Sequence, residues 1–168
     1  MDKIVIVGCG GAGKSTLARE LGKLLNLPVF HLDAQLWKSG WVMSSREEEN
    51  VLLQKIIEQK KWIIDGNYGA TMPVRFAAAD TIIFLDFSRW ICMRRVIKRW
   101  WQYRGKSRPD MAQNCPERLD VNFLKWIWNY RRTSRTKVLQ TINLYKSGRK
   151  VIILCRPQEI TRFLQLLK

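Results

Sequence analysis

The octapeptide at positions 8–15, GCGGAGKS, constrains the fold of this chain more than any other feature. An apolar run, 3–7, precedes it and leucines at helical spacing follow it, so it is predicted to join a strand to a helix. It matches the pattern GxxxxGK(S/T), in which backbone N–H groups converge on phosphate oxygens at the positive end of the next helix. The residues predicted to hold the phosphates are Gly8, Gly10, Gly11, Ala12, Gly13, Lys14, Ser15 and Thr16.

The same glycines also fit a second pattern. Gly8, Gly10 and Gly13 spell GxGxxG, and Asp33 follows 20 residues after the last of them, which is the spacing of a dinucleotide-binding fold. A dinucleotide does not require a lysine and a hydroxyl directly after the third glycine. A triphosphate with Mg²⁺ does, because Lys14 can reach the β- and γ-phosphates and Ser15 can bind the metal. The sequence therefore favours ATP or GTP with Mg²⁺, and it leaves the choice of base open.

Short apolar runs alternate with amphipathic segments along the rest of the chain, which predicts a single α/β domain with a parallel sheet. Strands are predicted at 3–7, 28–32, 62–65, 81–86 and 151–154, and helices at 14–25, 45–59, 70–78, 88–103, 120–145 and 157–167. Segment 104–119 contains Gly105, Pro109 and Pro116 and is predicted to be a lid-like excursion; it is called the lid segment below.

Two aspartates follow predicted strands. Asp65 ends the run Trp-Ile-Ile-Asp, where it would lie beside the phosphate loop and hold Mg²⁺ together with Ser15; the alternative is an ordinary Asp-Gly turn. Asp33 ends the second predicted strand, where it could orient or deprotonate an acceptor hydroxyl; the alternative is a helix cap. His31 is predicted to pack within the sheet. Trp37 and Trp41 could line an acceptor pocket or belong to the core.

Basic residues are concentrated in segment 89–137, which holds 14 Lys and Arg against three acids and so carries +11 of the net charge of +16. Two pairs of arginines lie four residues apart on predicted helices, a spacing that places each pair on one helix face. These four residues, Arg95, Arg99, Arg131 and Arg135, are candidates to stabilise charge on a transferring phosphoryl group. The alternatives are a solvated helix face or a surface for nucleic acid.

Composition excludes several other classes. No segment approaches the roughly 18 to 20 apolar residues of a membrane span, and the N-terminal apolar run is too short for a signal peptide, so we expect a cytoplasmic protein without membrane contact. The four cysteines form no CxxC pair, which argues against a zinc site. The oligomeric state is left open.

In their order along the chain, these motifs resemble the adenylate kinase-like P-loop kinases. The hallmarks HLDAQLW at 31–37, DGNY at 65–68, and RPD at 108–110 with CPE at 115–117 are similar to a bacterial group described as DNA topology modulation or FlaR-like proteins. The resemblance implies a five-stranded sheet ordered 2-3-1-4-5, phosphate contacts by the four helical arginines, and an adenine edge at Arg156-Pro157. The related kinases carry Asp-Gly-Phe-Pro-Arg where this chain has DGNYG, so Arg46 or Arg75 is a candidate to replace the missing arginine.

The sequence therefore predicts phosphoryl transfer from ATP to a small acceptor, either a nucleotide or a hydroxyl compound. The alternative is a nucleotide-binding regulator that contacts DNA or RNA through segment 89–137. The chain shows no helix-turn-helix pattern that could recognise a DNA base sequence, so nucleic-acid binding is expected to be weak and sensitive to salt.

Overall fold

Strands and helices alternate along the computed structural model, which describes residues 1–167. In chain order the elements are β1 (Lys3–Gly8), α1 (Lys14–Leu25), β2 (Val29–His31), α2 (Leu32–Leu36), β3 (Trp37–Lys38), β4 (Val42–Met43), α3 (Arg46–Ile57), β5 (Trp62–Asp65), α4 (Met72–Ala78), β6 (Thr81–Leu85), α5 (Arg89–Gln102), α6 (Val121–Asn129), α7 (Ser134–Tyr145), β7 (Lys150–Leu154) and α8 (Pro157–Gln165). β3 and β4 pair as a small antiparallel hairpin, and the other five strands form the central sheet.

The central sheet is parallel throughout, with the strand order β2-β5-β1-β6-β7. Its middle strands are apolar and buried, as expected where helices cover both faces of a sheet. α1 packs against β1, β2 and β5, whereas α4 packs against β1 and α7. This arrangement confirms the predicted α/β fold. When the five strands of the central sheet are numbered 1 to 5 along the chain, leaving out the hairpin strands β3 and β4, their order is the predicted 2-3-1-4-5.

The carboxyl ends of three strands bring the predicted site residues to one edge of the sheet. β1 lies between β5 and β6, with Ile6 opposite Asp65 and Gly8 opposite Leu85. β2 lies on the far side of β5, where His31 is opposite Asp65. Ligands of open parallel sheets bind at such an edge, where the connections from neighbouring strands diverge.

The helix starts follow the capping residues in the sequence. The Ser45 hydroxyl accepts a hydrogen bond from the Glu48 N–H, and the Glu48 carboxylate accepts one from the Ser45 N–H, so α3 begins with a capping box. The Ser88 hydroxyl accepts from the Ile91 N–H at the start of α5. Both helices therefore begin directly after a serine that caps them.

The second predicted strand, in contrast, is too long. β2 ends at His31, and Asp33 lies in the first turn of α2 instead of at a strand end. Leu32 and Leu36, four residues apart, are both buried, so a helical turn packs two apolar side chains on one side. The burial of these two leucines explains why the chain leaves the sheet before Asp33.

The long helix predicted at 120–145 is also wrong, because the structure has two helices separated by a turn at 130–133. The Arg132 N–H bonds to the Asn129 carbonyl three residues back, and the Arg135 N–H bonds to the Tyr130 carbonyl five residues back, so the regular four-residue helical spacing is interrupted. Tyr130 is buried at the turn. α6 packs on α5 and α7 packs on α4, so the two helices follow different neighbours and cannot share one axis.

Candidate nucleotide-binding site

The loop between β1 and α1 requires glycine where it approaches its neighbours. A Cβ at Gly8 would lie 2.7 Å from the Leu85 carbonyl oxygen, and one at Gly11 would lie 2.5 Å from the Cys92 carbonyl oxygen. Both residues also have positive φ, which other residues rarely adopt. The loop is therefore locked between β6 and α5 with its backbone at the start of α1, as a phosphate-binding loop requires.

Two side chains of this loop have short polar contacts. The Lys14 ammonium group donates to the Cys9 carbonyl oxygen at 3.1 Å, which holds its charge at the loop. The Ser15 hydroxyl donates to Oδ2 of Asp65 at 2.8 Å. Asp65 is 3% exposed, and its other carboxylate oxygen contacts Nδ1 of His31. The predicted pair Ser15 and Asp65 is thus brought together at the end of β5.

His31 has a role that the sequence prediction missed. Burial lowers the pKa of its imidazole, but the hydrogen bond and the charge of Asp65 outweigh burial, so the pKa of His31 lies above its ordinary value. The signal in the sequence was its alternation with Asp33 near a strand end. His31 fixes one oxygen of Asp65 and so orients the other oxygen toward Ser15.

The donor set fits Mg²⁺. A hydroxyl and a carboxylate oxygen lie 2.8 Å apart at Ser15 and Asp65, and Mg²⁺ in phosphate-transfer sites takes one or two carboxylates, with water and phosphate oxygens completing its shell. Within residues 1–167, no group of three or more His, Cys, Asp or Glu side chains could hold a metal ion by itself. The metal would therefore depend on the nucleotide for part of its coordination.

A cavity of about 800 Å³ opens in front of the loop. Its walls come from the loop, α1, the residues after β5, α5, the lid segment, α6 and α8. Of the predicted residues, Gly10, Gly11, Gly13, Lys14, Ser15, Thr16, Asp33, Arg95, Arg99 and Pro157 border it. Nucleotide and acceptor positions can thus share one enclosure.

Asp33 and the residues after β5 form one wall of this cavity. The Tyr68 hydroxyl donates to Oδ1 of Asp33 at 2.8 Å, and Asn67 lies beside it. Burial, together with the nearby charge of Asp33, raises the pKa of Tyr68, so the phenol keeps its proton and remains a donor to Asp33. Neither Asn67 nor Tyr68 was predicted to have a role of its own, although both belong to the DGNY segment at 65–68 that carries the family resemblance.

Arg75 holds this wall from behind. Its guanidinium donates to the Gly66 carbonyl oxygen at 3.0 Å and to the Tyr68 carbonyl oxygen at 2.7 Å, and its side chain is fully buried. Burial lowers the pKa of Arg75 to about 10, although the charges of Glu49 and Asp65 oppose that shift. Arg46, the other candidate for an acceptor phosphate, pairs instead with Glu49 at 3.2 Å. Arg75 positions a loop and does not border the cavity.

The two predicted arginines of α5 both face the cavity. Nη1 of Arg95 donates to the Ala12 carbonyl oxygen at 3.0 Å, so it lies directly on the phosphate loop. Arg99 pairs with the buried carboxylate of Glu117 at 2.9 Å. Burial and the charge of Arg108 lower the pKa of Arg99 from its ordinary value, while Glu117 opposes them.

The lid segment is tied to α5 through Glu117. Arg108 contacts Glu117 at 2.6 Å and Asp110 at 3.1 Å, and both Arg108 and Asp110 border the cavity. Burial raises the pKa of Asp110, but the charge of Arg108 and the hydroxyl of Ser15 lower it more, so it lies below its ordinary value. The lid segment thus brings one cation and one anion next to the phosphate loop.

The remaining predicted arginines do not converge on this cavity. Arg135 donates from Nε and Nη2 to Asp86, with distances of 2.7 to 2.9 Å, because the turn at 130–133 aims α7 at the end of β6. Arg131 is exposed in that turn, and Arg156 is exposed at the start of α8. The expected contribution of Arg131 and Arg135 to the same anion therefore does not match their positions in the structure.

Aromatic residues show a similar division. Phe123 and Trp126 stack with ring centroids 5.7 Å apart and border the cavity, with Phe123 against Gly10. Trp37 and Trp41 pack edge to face at 5.5 Å, and they lie outside the cavity wall. Trp101 and Trp90, at 76% and 65%, are among the most exposed apolar side chains of the described residues. No helix within residues 1–167 combines the length and the apolar character that crossing a bilayer requires.

A phosphate-binding loop at the carboxyl edge of a parallel sheet, followed directly by a helix, defines the class of P-loop NTPases, and the protein has this fold. Residues 4–115 match the model of a family described as AAA domain. The chain belongs to that family.

Individual relatives are kinases of small molecules by name. A shikimate kinase of Rhodococcus jostii is 30% identical over 100 residues, which cover 51% of this chain and 60% of that protein. A shikimate kinase of Brucella canis is 25% identical over 128 residues, covering 67% of this chain and 61% of that protein. The chain thus spans about three fifths of the length of the curated relatives it matches.

Solved structures agree on the fold. The shikimate kinase of Acinetobacter baumannii in complex with shikimate aligns with a TM-score of 0.61 and 18% identity, covering 99% of this chain and 93% of that chain. The deoxyadenosine kinase of M. mycoides with bound dATP aligns with a TM-score of 0.58 and 15% identity, covering 98% and 96%. At these identities the two structures establish the fold alone.

Proposed function

We propose that the protein transfers the γ-phosphoryl group of ATP, or of GTP, to a small acceptor in the presence of Mg²⁺. The observation that carries this proposal is that the phosphate loop with Ser15 and the carboxylate of Asp33 border one and the same cavity. The kinase names of the relatives are consistent with it. We further propose an adenylate kinase-like arrangement in one cytoplasmic domain, with the lid segment closing over the nucleotide.

On the nucleotide side, the chain supplies positive charge before the reaction begins. The backbone N–H groups of the loop and Lys14 face the β- and γ-phosphates, and Arg95 lies against the same loop. Groups fixed in this way stabilise the charge that develops on a transferring phosphoryl group without having to reorganise. Arg156 and Pro157 are proposed to flank the base, and of these two Pro157 borders the cavity.

Ser15 and Asp65 are proposed to hold Mg²⁺, directly or through water. Mg²⁺ held by these two residues would neutralise part of the charge on the nucleotide phosphates. The contact of His31 with Asp65 would keep the carboxylate oxygen in place beside Ser15. This arrangement makes His31 a positioning residue, because it acts on the metal site through Asp65.

On the acceptor side, Asp33 is proposed to orient the attacking hydroxyl and to receive its proton. The hydrogen bond from Tyr68 fixes Oδ1 of Asp33 and leaves Oδ2 for the acceptor. A carboxylate within hydrogen-bond reach of the attacking oxygen is the usual arrangement for this role. The acceptor, a nucleotide or a hydroxyl compound, would lie between Asp33 and the γ-phosphate.

The first test measures nucleotide binding and turnover together. Mg·ATP at about 100 times its dissociation constant should stabilise the folded protein by about 2.7 kcal/mol, and Lys14→Ala should remove most of this effect. Lys23→Ala, on the exposed side of the same helix, is the matched control and should behave as the wild type. Release of ADP in a coupled assay then screens candidate acceptors. The absence of any nucleotide-dependent stabilisation in folded wild-type protein would refute the proposal.

One surface feature favours the alternative function, a nucleotide-binding regulator that contacts nucleic acid. Trp90 and Trp101 are exposed on α5 within the basic segment 89–137, and exposed aromatics among basic residues suit stacking on single-stranded bases. The arginines nearest the phosphate loop, however, border the cavity instead of the outer surface, which favours phosphoryl transfer over nucleic-acid binding.

A further inference from the structure

The side of the cavity formed by Asp33, Asn67 and Tyr68 is called the acceptor wall, because the phosphoryl acceptor is proposed to bind there. Its oxygen atoms mainly accept hydrogen bonds. The proton of the Tyr68 hydroxyl is donated to Oδ1 of Asp33, so Oδ2 of Asp33 and the oxygen of Tyr68 remain to accept hydrogen bonds. The side-chain oxygen of Asn67 is buried and has no hydrogen-bond partner, although Asn67 borders the cavity. Buried acceptors without donors are unfavourable, so a ligand that fits this wall should carry O–H or N–H groups.

The guanidinium groups near this wall already have partners. Arg75 donates to two backbone carbonyl oxygens, Arg99 pairs with Glu117, and Arg108 pairs with Glu117 and Asp110. A carboxylate or phosphate placed beside Asp33 would meet a like charge and would have to break one of these pairs to gain a cation. Such like-charge contacts disfavour a ligand strongly, because the repulsion acts in a partly desolvated site.

Two other arginines border the cavity, one held at the phosphate loop and one exposed to solvent. Arg95 lies on the phosphate loop, where the triphosphate requires it. Arg19 is one helical turn beyond Ser15 on α1, roughly 6 Å further along the helix axis, and is exposed. Phe123 and Trp126 border the cavity at Gly10 of the phosphate loop and carry no charge.

We propose that the acceptor is a hydroxyl compound without an anionic group, either uncharged or positively charged, such as a polyol, a nucleoside or an amino alcohol. This inference rests on the proposed function and narrows its acceptor. The hydroxyl oxygen attacks the γ-phosphorus, the bond from that phosphorus to the bridging oxygen breaks, and ADP leaves with its electron pair. The hydroxyl proton passes to Asp33, and the product is a phosphate monoester.

The test uses matched pairs of acceptors that differ by one anionic group. Nucleosides are compared with their monophosphates, polyols with the corresponding sugar acids, and amino alcohols with the corresponding hydroxy amino acids, all by ADP release with Mg·ATP. The member without the anion should be preferred in kcat/KM by at least about tenfold, the cost of one unfavourable charge contact. Preference for shikimate or for a nucleoside monophosphate would overturn the inference.

Nucleotide binding is measured in parallel so that the two proposals can fail separately. If Mg·ATP gives no thermal stabilisation, the proposed function fails. If Mg·ATP stabilises the protein but only anionic acceptors are phosphorylated, or none of the anion-free compounds is, the acceptor inference alone fails. Loss of an anionic activity in Arg19→Ala would identify Arg19 as the cation that the inference denies.

Variants of Asn67 provide a second readout. Asn67→Leu should raise the KM for the anion-free acceptor by about 10-fold or more, because one acceptor of a substrate hydrogen bond is lost, and should leave nucleotide affinity unchanged. Asn67→Asp should lower the KM for amino alcohols relative to uncharged polyols. Asn50→Leu, on the exposed face of α3, is the control. An unchanged KM in both Asn67 variants would overturn the role assigned to this wall.

Discussion

Replacing Arg75 by methionine should destabilise the protein more than any exposed arginine replacement. Methionine keeps the length and most of the apolar stem of the side chain, so the change mainly removes the guanidinium. That group is fully buried and donates to the carbonyl oxygens of Gly66 and Tyr68 at 3.0 and 2.7 Å. The Gly66 oxygen would then lose its guanidinium donor, and the Tyr68 oxygen would keep only the Thr71 hydroxyl, at 3.4 Å.

The magnitude follows from these two contacts. A hydrogen bond to a charged group contributes about 1.5 to 3 kcal/mol, and two such bonds set an upper range of about 3 to 6 kcal/mol. Burial lowers the pKa of Arg75 to about 10, which shows that the charge is costly in this position and offsets part of the loss. We expect a decrease of about 2 to 4 kcal/mol in the free energy of unfolding. For a chain of this size that corresponds to roughly 4 to 16 °C in Tm.

Urea unfolding followed by tryptophan fluorescence, together with calorimetry, measures this decrease. Arg46→Met is the matched control, because Arg46 is also an arginine near Glu49 but its side chain is 59% exposed, so its loss should cost less than about 1 kcal/mol. A decrease below about 1 kcal/mol for Arg75→Met, or equal decreases for both variants, would refute the assignment of Arg75 as the support of the loop after β5.

Asp65→Asn should weaken the Mg²⁺ dependence of nucleotide binding, since a carboxylate oxygen beside Ser15 is lost, whereas Asp33→Asn should spare nucleotide binding and slow phosphoryl transfer. Calorimetric titration at several Mg²⁺ concentrations, compared with turnover, separates the two, and equal loss of ATP binding in both folded variants would contradict the division. DNA binding should appear at low salt and fall steeply as salt rises, because the net charge of +16 acts through counterion release. Fluorescence anisotropy measures this, and tight sequence-selective binding at physiological salt without any kinase activity would favour the regulator. Asp80 accepts hydrogen bonds from the Asp2 and Lys3 N–H groups, and although burial raises its pKa, these bonds and the Thr81 hydroxyl lower it overall. The stabilisation by the Asp80 carboxylate is therefore complete above its unfolded pKa of about 3.9 and is lost as pH falls through the lower pKa of the folded state. Asp80→Asn should thus make the free energy of unfolding depend less on pH on the acid side. Wild-type and variant curves of urea stability against pH that run parallel would disprove this.

The phosphate loop was predictable because its information is local. Eight consecutive residues, 8–15, carry the glycines, the lysine and the hydroxyl in one motif, and the strand and helix around it follow from apolar periodicity. Capping at Ser45 and Ser88 was also predictable, since each cap depends on a residue only three positions away. The strand order, in contrast, came from resemblance to a family and was confirmed by the sheet.

The positions of Arg131 and Arg135 could not be predicted from the spacing of neighbouring residues. Spacing places Arg131 and Arg135 on one helix face only if the helix is continuous, and the turn at 130–133 removes that condition. The partner of Arg135 is Asp86, 49 residues away, which no periodicity indicates. Arg95 and Arg99, on a helix of the predicted length, do face the cavity.

The acceptor wall was missed for a similar reason. Asn67 and Tyr68 reach the cavity because Arg75 holds the carbonyl oxygens of Gly66 and Tyr68 on either side of Asn67. A contact between a helix and a preceding loop has no regular spacing that a sequence pattern could show. Asp33 borders the cavity although its secondary structure was predicted incorrectly. A residue just after a strand end remains at the same edge of the sheet whether it continues the strand or begins a helix.

The turn between α6 and α7 changes the direction of the chain between the lid segment and the sheet. α6 continues directly from the lid segment and packs on α5, whereas α7 is fastened to the end of β6 by Arg135 and Asp86. A continuous helix would act as a rigid lever and carry any displacement of the lid segment into that ion pair. With the turn in place, a fluorescent label on α6 should respond more than one on α7 to any movement of the lid segment, although the hydrogen bond from Trp126 to Ser134 still joins the two helices.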